Sequence, residues 1–337
     1  MARAAAILRA LGVAFRRDQK SFESIAGNNF FLITALLLGP AGGFIFLIIG
    51  LVMLFPLSTD PLRKIPASRL ALWPLEKRDY WVLRIASPWV NPVSWLVVAL
   101  AVWAARGKVT LGLWGLAAGL FAGAFLLSDL HVFSTESLWR LAPNFPGPLN
   151  QLIRKNIREM LSTLDFYCAL ILSICVLVYR LLGPPLPGEA FLAVTVLVVL
   201  ALSSYAQCLF GLDGDGGLGR YRLLPLRGWQ ILAAKDAAYL MLTIPLTLPV
   251  APLAGAGAAL TALALGHGPT VRLRRDQTRW RFSTGASLVF GLIQAVAMAM
   301  AASAIYFTSS LVLLLCIAVW LGSLWHFGRE IDRAEVE

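Results

Sequence analysis

The sequence predicts an all-α polytopic membrane protein, with about eight to ten membrane segments arranged as hairpins. Three observations carry this. Of the 337 residues, 58% are hydrophobic and only 14% are charged, where soluble domains run near a quarter charged. Stretches such as 190–211, 285–306 and 308–327 reach the ~20 mostly apolar residues that a helix needs to cross a bilayer. The basic residues, which give a net charge of +11, gather in short segments between apolar blocks, as loops retained on the cytoplasmic side do.

The first segment, 1–28, holds Arg3, Arg9, Arg16, Arg17 and Lys20. At about 100° per residue, Ile7, Leu8, Leu11, Phe15, Phe22 and Ile25 share one face, with Arg9, Arg16 and Lys20 opposite and Asp18 as the exception. This predicts an amphipathic helix lying in the membrane interface, not a cleaved leader, whose apolar core Arg9 would interrupt. Further basic clusters lie in 56–89, 129–165, 212–236, 267–284 and the tail. If all share one side, each apolar block between them must enter and return. These blocks are 29–55, 90–128, 166–211, 237–266 and 285–327. Outer turns are expected at "RGK" (106–108), at "GPPLPG" (183–188) and near 306–309. Block 237–266 is short for two spans, and its Pro245, Pro249, Pro252, Gly255 and Gly257 predict short or broken helices. Block 29–55, interrupted by "GPAGG" at 39–43, is either a re-entrant hairpin or one kinked span; the charge rule favours the hairpin.

A partial internal repeat follows. At an offset of 151, Leu72, Pro74, Leu75, Arg84 and Ala86 fall on Leu223, Pro225, Leu226, Lys235 and Ala237. At an offset of 138, "FRRDQKS" (15–21) resembles "IRKNIRE" (153–159), where Ile153, Ile157, Met160 and Leu164 form an apolar stripe with Arg154, Lys155, Arg158 and Glu159 off it. Each half therefore reads as interfacial helix, hairpin, basic Pro-Leu loop, hairpin, and the second half adds a further hairpin, 285–327. Residues 1–128 form the first, truncated half, 129–146 a cytoplasmic linker and 147–337 the second half. Parallel repeats of this kind build transporters with a path at the repeat interface.

The chemistry carried by the chain is sparse. The four cysteines sit singly in apolar runs, the pattern of small packing residues. His131, His267 and His326 fall on separate loops or span ends. HExxH, GxSxG and Walker A motifs do not occur, and "DGDGG" (213–217) lacks the spaced oxygens of a calcium loop. The apolar blocks read as free of deep ionisable groups, which argues against a proton-driven carrier. Asn91, Ser173, Ser203, Ser204, Gln207, Gln294 and Ser303 are expected to be helix-packing contacts. The positive charge is read as loop sidedness and lipid contact, not nucleic-acid binding.

"FGLDGDGGLGRYRLLPLRGWQILAAKDAAYL" (210–240) resembles the first cytoplasmic loop of ABC-2 type exporter permeases. Phe210, Gly211, Asp213, Leu223, Leu224, Pro225, Leu226, Leu232 and Lys235 follow that family's order, without its spacer before Pro225. "LALWPLEKRDYWVLRIASPWVNP" (70–92) resembles the equivalent loop in the first half of double-length members. Residues 147–337 follow the family's unit throughout; 1–128 stop after the second hairpin.

The resemblance implies the membrane-spanning permease subunit of an ATP-driven exporter. A separate ABC ATP-binding subunit would dock on cytoplasmic coupling loops built from Gly211, Asp213, Leu223, Leu224, Pro225, Leu226, Arg227 and Lys235, and from Pro74, Leu75 and Arg84. Interfacial helices carrying Arg16, Arg17, Arg154 and Lys155 would pass the movement on. Arg222, Arg227 and Lys235 would meet headgroups or acidic residues of the partner. The chain itself would hold no cofactor or metal and catalyse nothing; ATP would sit on the partner. A second permease copy or paralogue and membrane lipids are further partners. The expected location is the bacterial inner membrane, multi-pass, with both termini cytoplasmic, and the cargo hydrophobic or amphipathic. The alternatives are an ATPase-independent secondary transporter or channel-like protein, and a non-transporting membrane scaffold.

Overall fold

The computed structural model describes residues 2–17, 62, 72–73, 75–90, 95, 99, 118, 122, 147, 149–182, 188–213, 220–221, 223–273 and 285–333. Regular structure among them is entirely helical. Block 29–55, nearly all of 90–128, the linker 129–146, Pro74 and Arg222 lie outside the described residues. The chain divides into two compact units, 1–26 with 35–129 and 27–34 with 130–337.

In the first unit, α1 (Ala2–Arg17) meets α2 (Lys77–Ala86), which runs on into a 3-10 turn, Ser87–Val90. Ile7, Leu8, Leu11 and Val82 close over Leu62 and the fully buried Leu83. The apolar stripe of α1, expected to lie in lipid, thus packs at least partly on protein. Amphipathic spacing says that one face leaves water, not what covers it. Arg16 and Arg17 fall in the last turn of α1.

The second unit is a helix bundle of α3 (Asn150–Met160), α4 (Leu164–Leu182), α5 (Gly188–Ala206), α6 (Gly228–Thr247), α7 (Pro252–Leu273), α8 (Leu288–Phe307) and α9 (Val312–Arg333). Of the predicted stripe of α3, Ile153, Ile157 and Met160 are buried while Lys155 and Arg158 are exposed, but Glu159, expected off it, is buried too, and Leu164 begins α4. Thr163 precedes α4 and accepts from Phe166 N. The "GPPLPG" segment separates α4 from α5. Pro252 opens α7 at a position where its missing N–H costs nothing, and Ser287 caps α8 by accepting from Phe290 N. The turn between α8 and α9 falls at 308–311, close to its expected place.

Helix α7 lies against α5, α6, α8 and α9. Its Ala- and Gly-rich face allows this; a Cβ at Gly266 would fall on the carbonyl of Ala206 at the end of α5. From Val194 to Leu202 every residue of α5 is buried. In contrast, α8 and α9 leave Val289, Ile293, Val296, Met300, Leu314, Leu315 and Trp325 exposed. Among the described residues, α5, 289–307 of α8 and α9 are long and apolar enough to cross a membrane.

Block 237–266 departs from expectation. It holds two helices of 20 and 22 residues, not short pieces. The helices recruit residues assigned to the flanking loops, 228–236 and 267–273. Pro245 lies within α6 near its end, where little of the hydrogen-bond ladder remains to be lost. This draws the polar residues at the loop edges into the bundle.

Candidate functional site

The site is built on the segment that leads into α6. After α5, a 3-10 turn, Gly211–Asp213, brings Asp213 inward. Leu224 N donates to Tyr221 O at 3.0 Å and Leu226 N to Leu224 O at 2.8 Å. This tight turn, with Pro225 inside it, leaves Leu223 84% and Leu224 44% exposed, while Leu226 is half-buried. Arg227 is extended, α6 begins at Gly228, and Arg227 N donates to Gln230 Oε1 at 2.9 Å.

Behind the turn Asp213 is the hub of a polar cluster. Lys155 Nζ on α3 donates to Asp213 Oδ1 at 2.5 Å and to Tyr221 OH at 2.9 Å. Tyr221 OH donates to Asp213 Oδ1 at 2.7 Å. Lys235 Nζ on α6 donates to Asp213 Oδ2 (2.8 Å), Asn156 Oδ1 (3.1 Å) and Leu209 O (2.7 Å), and Arg220 donates to Asp213 O. The Lys235 ammonium also sits 4.9 Å from the Phe210 ring centre and 5.2 Å from that of Tyr221. Lys155 further pairs with Glu159 at 3.6 Å.

Burial alone would raise the Asp213 carboxyl. The charge of Lys235 and the hydrogen bonds from Lys155, Lys235 and Tyr221 outweigh it and hold the group below the usual carboxylate range. Tyr221 is pushed well up, by burial first and then by the Asp213 charge, so it stays a neutral donor. The arrangement pins α3, the end of α5 and α6 together at one carboxylate.

This changes the expected role of Lys235. Its side chain is wholly buried and cannot meet headgroups or a partner. Gly211 and Asp213, assigned to the docking loop, also belong to the interior. Of the residues assigned to docking in this loop, Leu223, Leu224, Pro225 and Arg227 are exposed.

A second cluster lies next to the first along α6. Asp236 accepts from Trp320 Nε1 of α9 at 2.8 Å, and both its oxygens face His267 Nε2 of α7, at 3.0 and 3.2 Å. His267 Nδ1 is 2.9 Å from Ser323 Oγ. Ser323 Oγ also lies 2.7 Å from Ala264 O, to which its hydroxyl donates. Asp236 and His267 are fully buried. These two residues flank block 237–266 and enter the bundle because the helices run past it, so the expectation that His267 sits at a loop or span end is corrected. Gln207, Gln294 and Ser173 do act as packing contacts. Gln207 Nε2 donates to Gln294 Oε1 (2.5 Å), Gln294 Nε2 to Ala262 O (2.8 Å) and Ser173 Oγ to Leu246 O (2.7 Å).

The first loop repeats the backbone of the second. Leu75 N donates to Trp73 O at 2.7 Å, Leu72 is 81% exposed, Glu76 is extended and α2 begins at Lys77. Each feature lies 151 positions before its counterpart. Arg84, at the position of Lys235, donates to Tyr80 OH of its own helix at 3.0 Å.

Sequence reasoning missed Asn156, Tyr221, Asp236, Trp320 and Ser323, and misplaced His267. One signal was present: no breaker separates Lys235 and Asp236 from Ala237 onward, so a helix starting at Gly228 carries both into the apolar run.

Comparison with protein-family models, with curated proteins and with solved structures finds no match.

Proposed function

We propose that this chain is the permease subunit of an ATP-driven exporter of the ABC-2 type, in the inner membrane with both termini cytoplasmic, moving a hydrophobic or amphipathic cargo. One observation carries the reading. Leu223 and Leu224 stand uncovered on a turn whose base is fixed by the buried Asp213–Lys235 pair. Exposed leucines on a rigid mount suit insertion into a partner's cleft better than an ordinary loop, because little ordering entropy is lost on binding. A separate ATP-binding subunit is the partner that the loop's resemblance implies, and Leu72 marks a second, similar contact. The chain would work as a fused pair of halves, or with a further permease copy.

The test is co-purification with the ATP-binding protein encoded beside its gene, before and after the double change Leu223→Asp, Leu224→Asp. Binding and ATPase stimulation should fall at least tenfold while the helical content is kept, as expected for loss of central apolar anchors costing about 2 kcal/mol. Unchanged binding would remove the docking role.

A second reading has its own observation. The fully buried Asp236–His267 pair is the kind of group that proton-coupled carriers keep inside a bundle. Transport that a protonophore abolishes and ATP depletion does not would favour an ATPase-independent transporter.

A further inference from the structure

We infer that α9 is the output element of the second loop, through a latch made by Gly228, Gly328 and Asp332. This rests on the docking reading above.

The first turn of α6 is held by a residue 104 positions away: Gly228 N donates to Asp332 Oδ1 at 2.6 Å. A carboxylate at this end of a helix satisfies an orphan amide and suits the dipole. The two helices cross there at backbone contact. A Cβ at Gly228 would fall on the carbonyl of Gly328 and 2.8 Å from Ile331 Cβ, and one at Gly328 would lie 2.6 Å from Trp229 Cα. A crossing with no side chains between the backbones has little room to slide. Further along both helices, Trp320 Nε1 donates to Asp236 Oδ2 at 2.8 Å. Helix α6 is thus tied to α9 at residues 228 and 236, and rotation of one against the other breaks both ties. The outer face of α9 carries exposed Leu314, Leu315, Leu321 and Trp325, so no described residue covers it there. A push on Leu223 and Leu224 reaches α9 within one turn of helix.

The counterpart of Gly228 in the first loop is Lys77, which is exposed. A lysine side chain does not fit a backbone-to-backbone crossing. Among the described residues the first loop shows no matching latch.

The full chain in lipid nanodiscs, with the ATP-binding protein encoded beside its gene, separates the claims. Asp332→Ala should lower ATPase stimulation about fivefold, the size of a lost helix cap, with the Kd for the partner unchanged. Lys77→Ala should change neither. Gly328→Ala, whose Cβ would lie 2.6 Å from Trp229 Cα, should also lower stimulation with the Kd for the partner unchanged; full stimulation in it overturns the inference. So does full stimulation in Asp332→Ala, or an equal loss in Lys77→Ala.

Hydrogen exchange on the chain alone tests the latch without a partner. Asp332→Ala should speed exchange of the 228–231 amides about fivefold and leave 77–80 unaltered. Unaltered exchange at 228–231 overturns the latch, even where a wild-type chain that binds no ATPase has already sunk the docking reading.

Discussion

The segments 72–86 and 223–237 share a backbone and differ in what stands behind it. Both make a tight turn with an exposed leucine, pass through an extended residue and enter a helix, 151 positions apart. Behind the second, Lys235 is buried against Asp213 and Gly228 is pressed against Gly328. In the first, Arg84 occupies the place of Lys235 and bonds Tyr80 one turn back, and Lys77 occupies the place of Gly228. A turn can thus be copied by local residues alone, whereas its anchoring depends on the helices that surround it. The second loop is seen bound to the interior of a bundle, and among the described residues the first has no counterpart to that anchoring.

The largest test of this contrast is the cation. Lys235→Ala leaves Asp213 buried without its main counter-charge and should cost about 3–5 kcal/mol. Arg84→Ala, at the equivalent place, should cost under about 1 kcal/mol, as half-exposed charges do. Thermal unfolding of the detergent-solubilised chain measures both, and equal losses would erase the distinction between the loops.

A smaller effect concerns the neighbouring cluster. In a double-mutant cycle, Asp236→Asn and His267→Gln should couple by about 0.5–3 kcal/mol, as contacting polar partners do. Additive losses would mean that the two residues are merely adjacent.

The smallest effect is in acid. Asp213 has its carboxyl pKa lowered in the folded chain. Its contribution is therefore present above the unfolded carboxylate value of about 3.9 and is lost as pH falls through the folded value. Stability should decline below about pH 4 in the wild type, and the part owed to this group should vanish in Asp213→Asn, measured by unfolding at pH 3 and pH 6.

Much of the second half was legible beforehand. The stripe Ile153, Ile157, Met160 foretold α3, and "GPPLPG" the break between α4 and α5. The Pro-Leu pairs located both turns. These features depend on neighbours within about one helical turn, where spacing and breakers decide. The assignment of Lys235 to the surface failed for the same reason. A basic residue at the edge of a loop looks solvated until a helix start at Gly228 and a carboxylate at Asp213 are both placed. His267 was misread similarly: flanked by glycines at the edge of an apolar run, it resembles a span end until Asp236 and Ser323 arrive from other helices.

By itself the sequence determined that the chain is helical and strongly apolar, and it placed the turn near 308–311 and the Pro-Leu stretches that lead into α2 and α6. These follow from hydropathy, charge placement and local backbone preference. Only the tertiary structure decided which polar residues leave water and with whom. Burial of a charge is tolerated where partners converge from distant positions, as Lys155, Tyr221 and Lys235 do on Asp213, and that convergence is a property of packed helices, absent from any single stretch of chain.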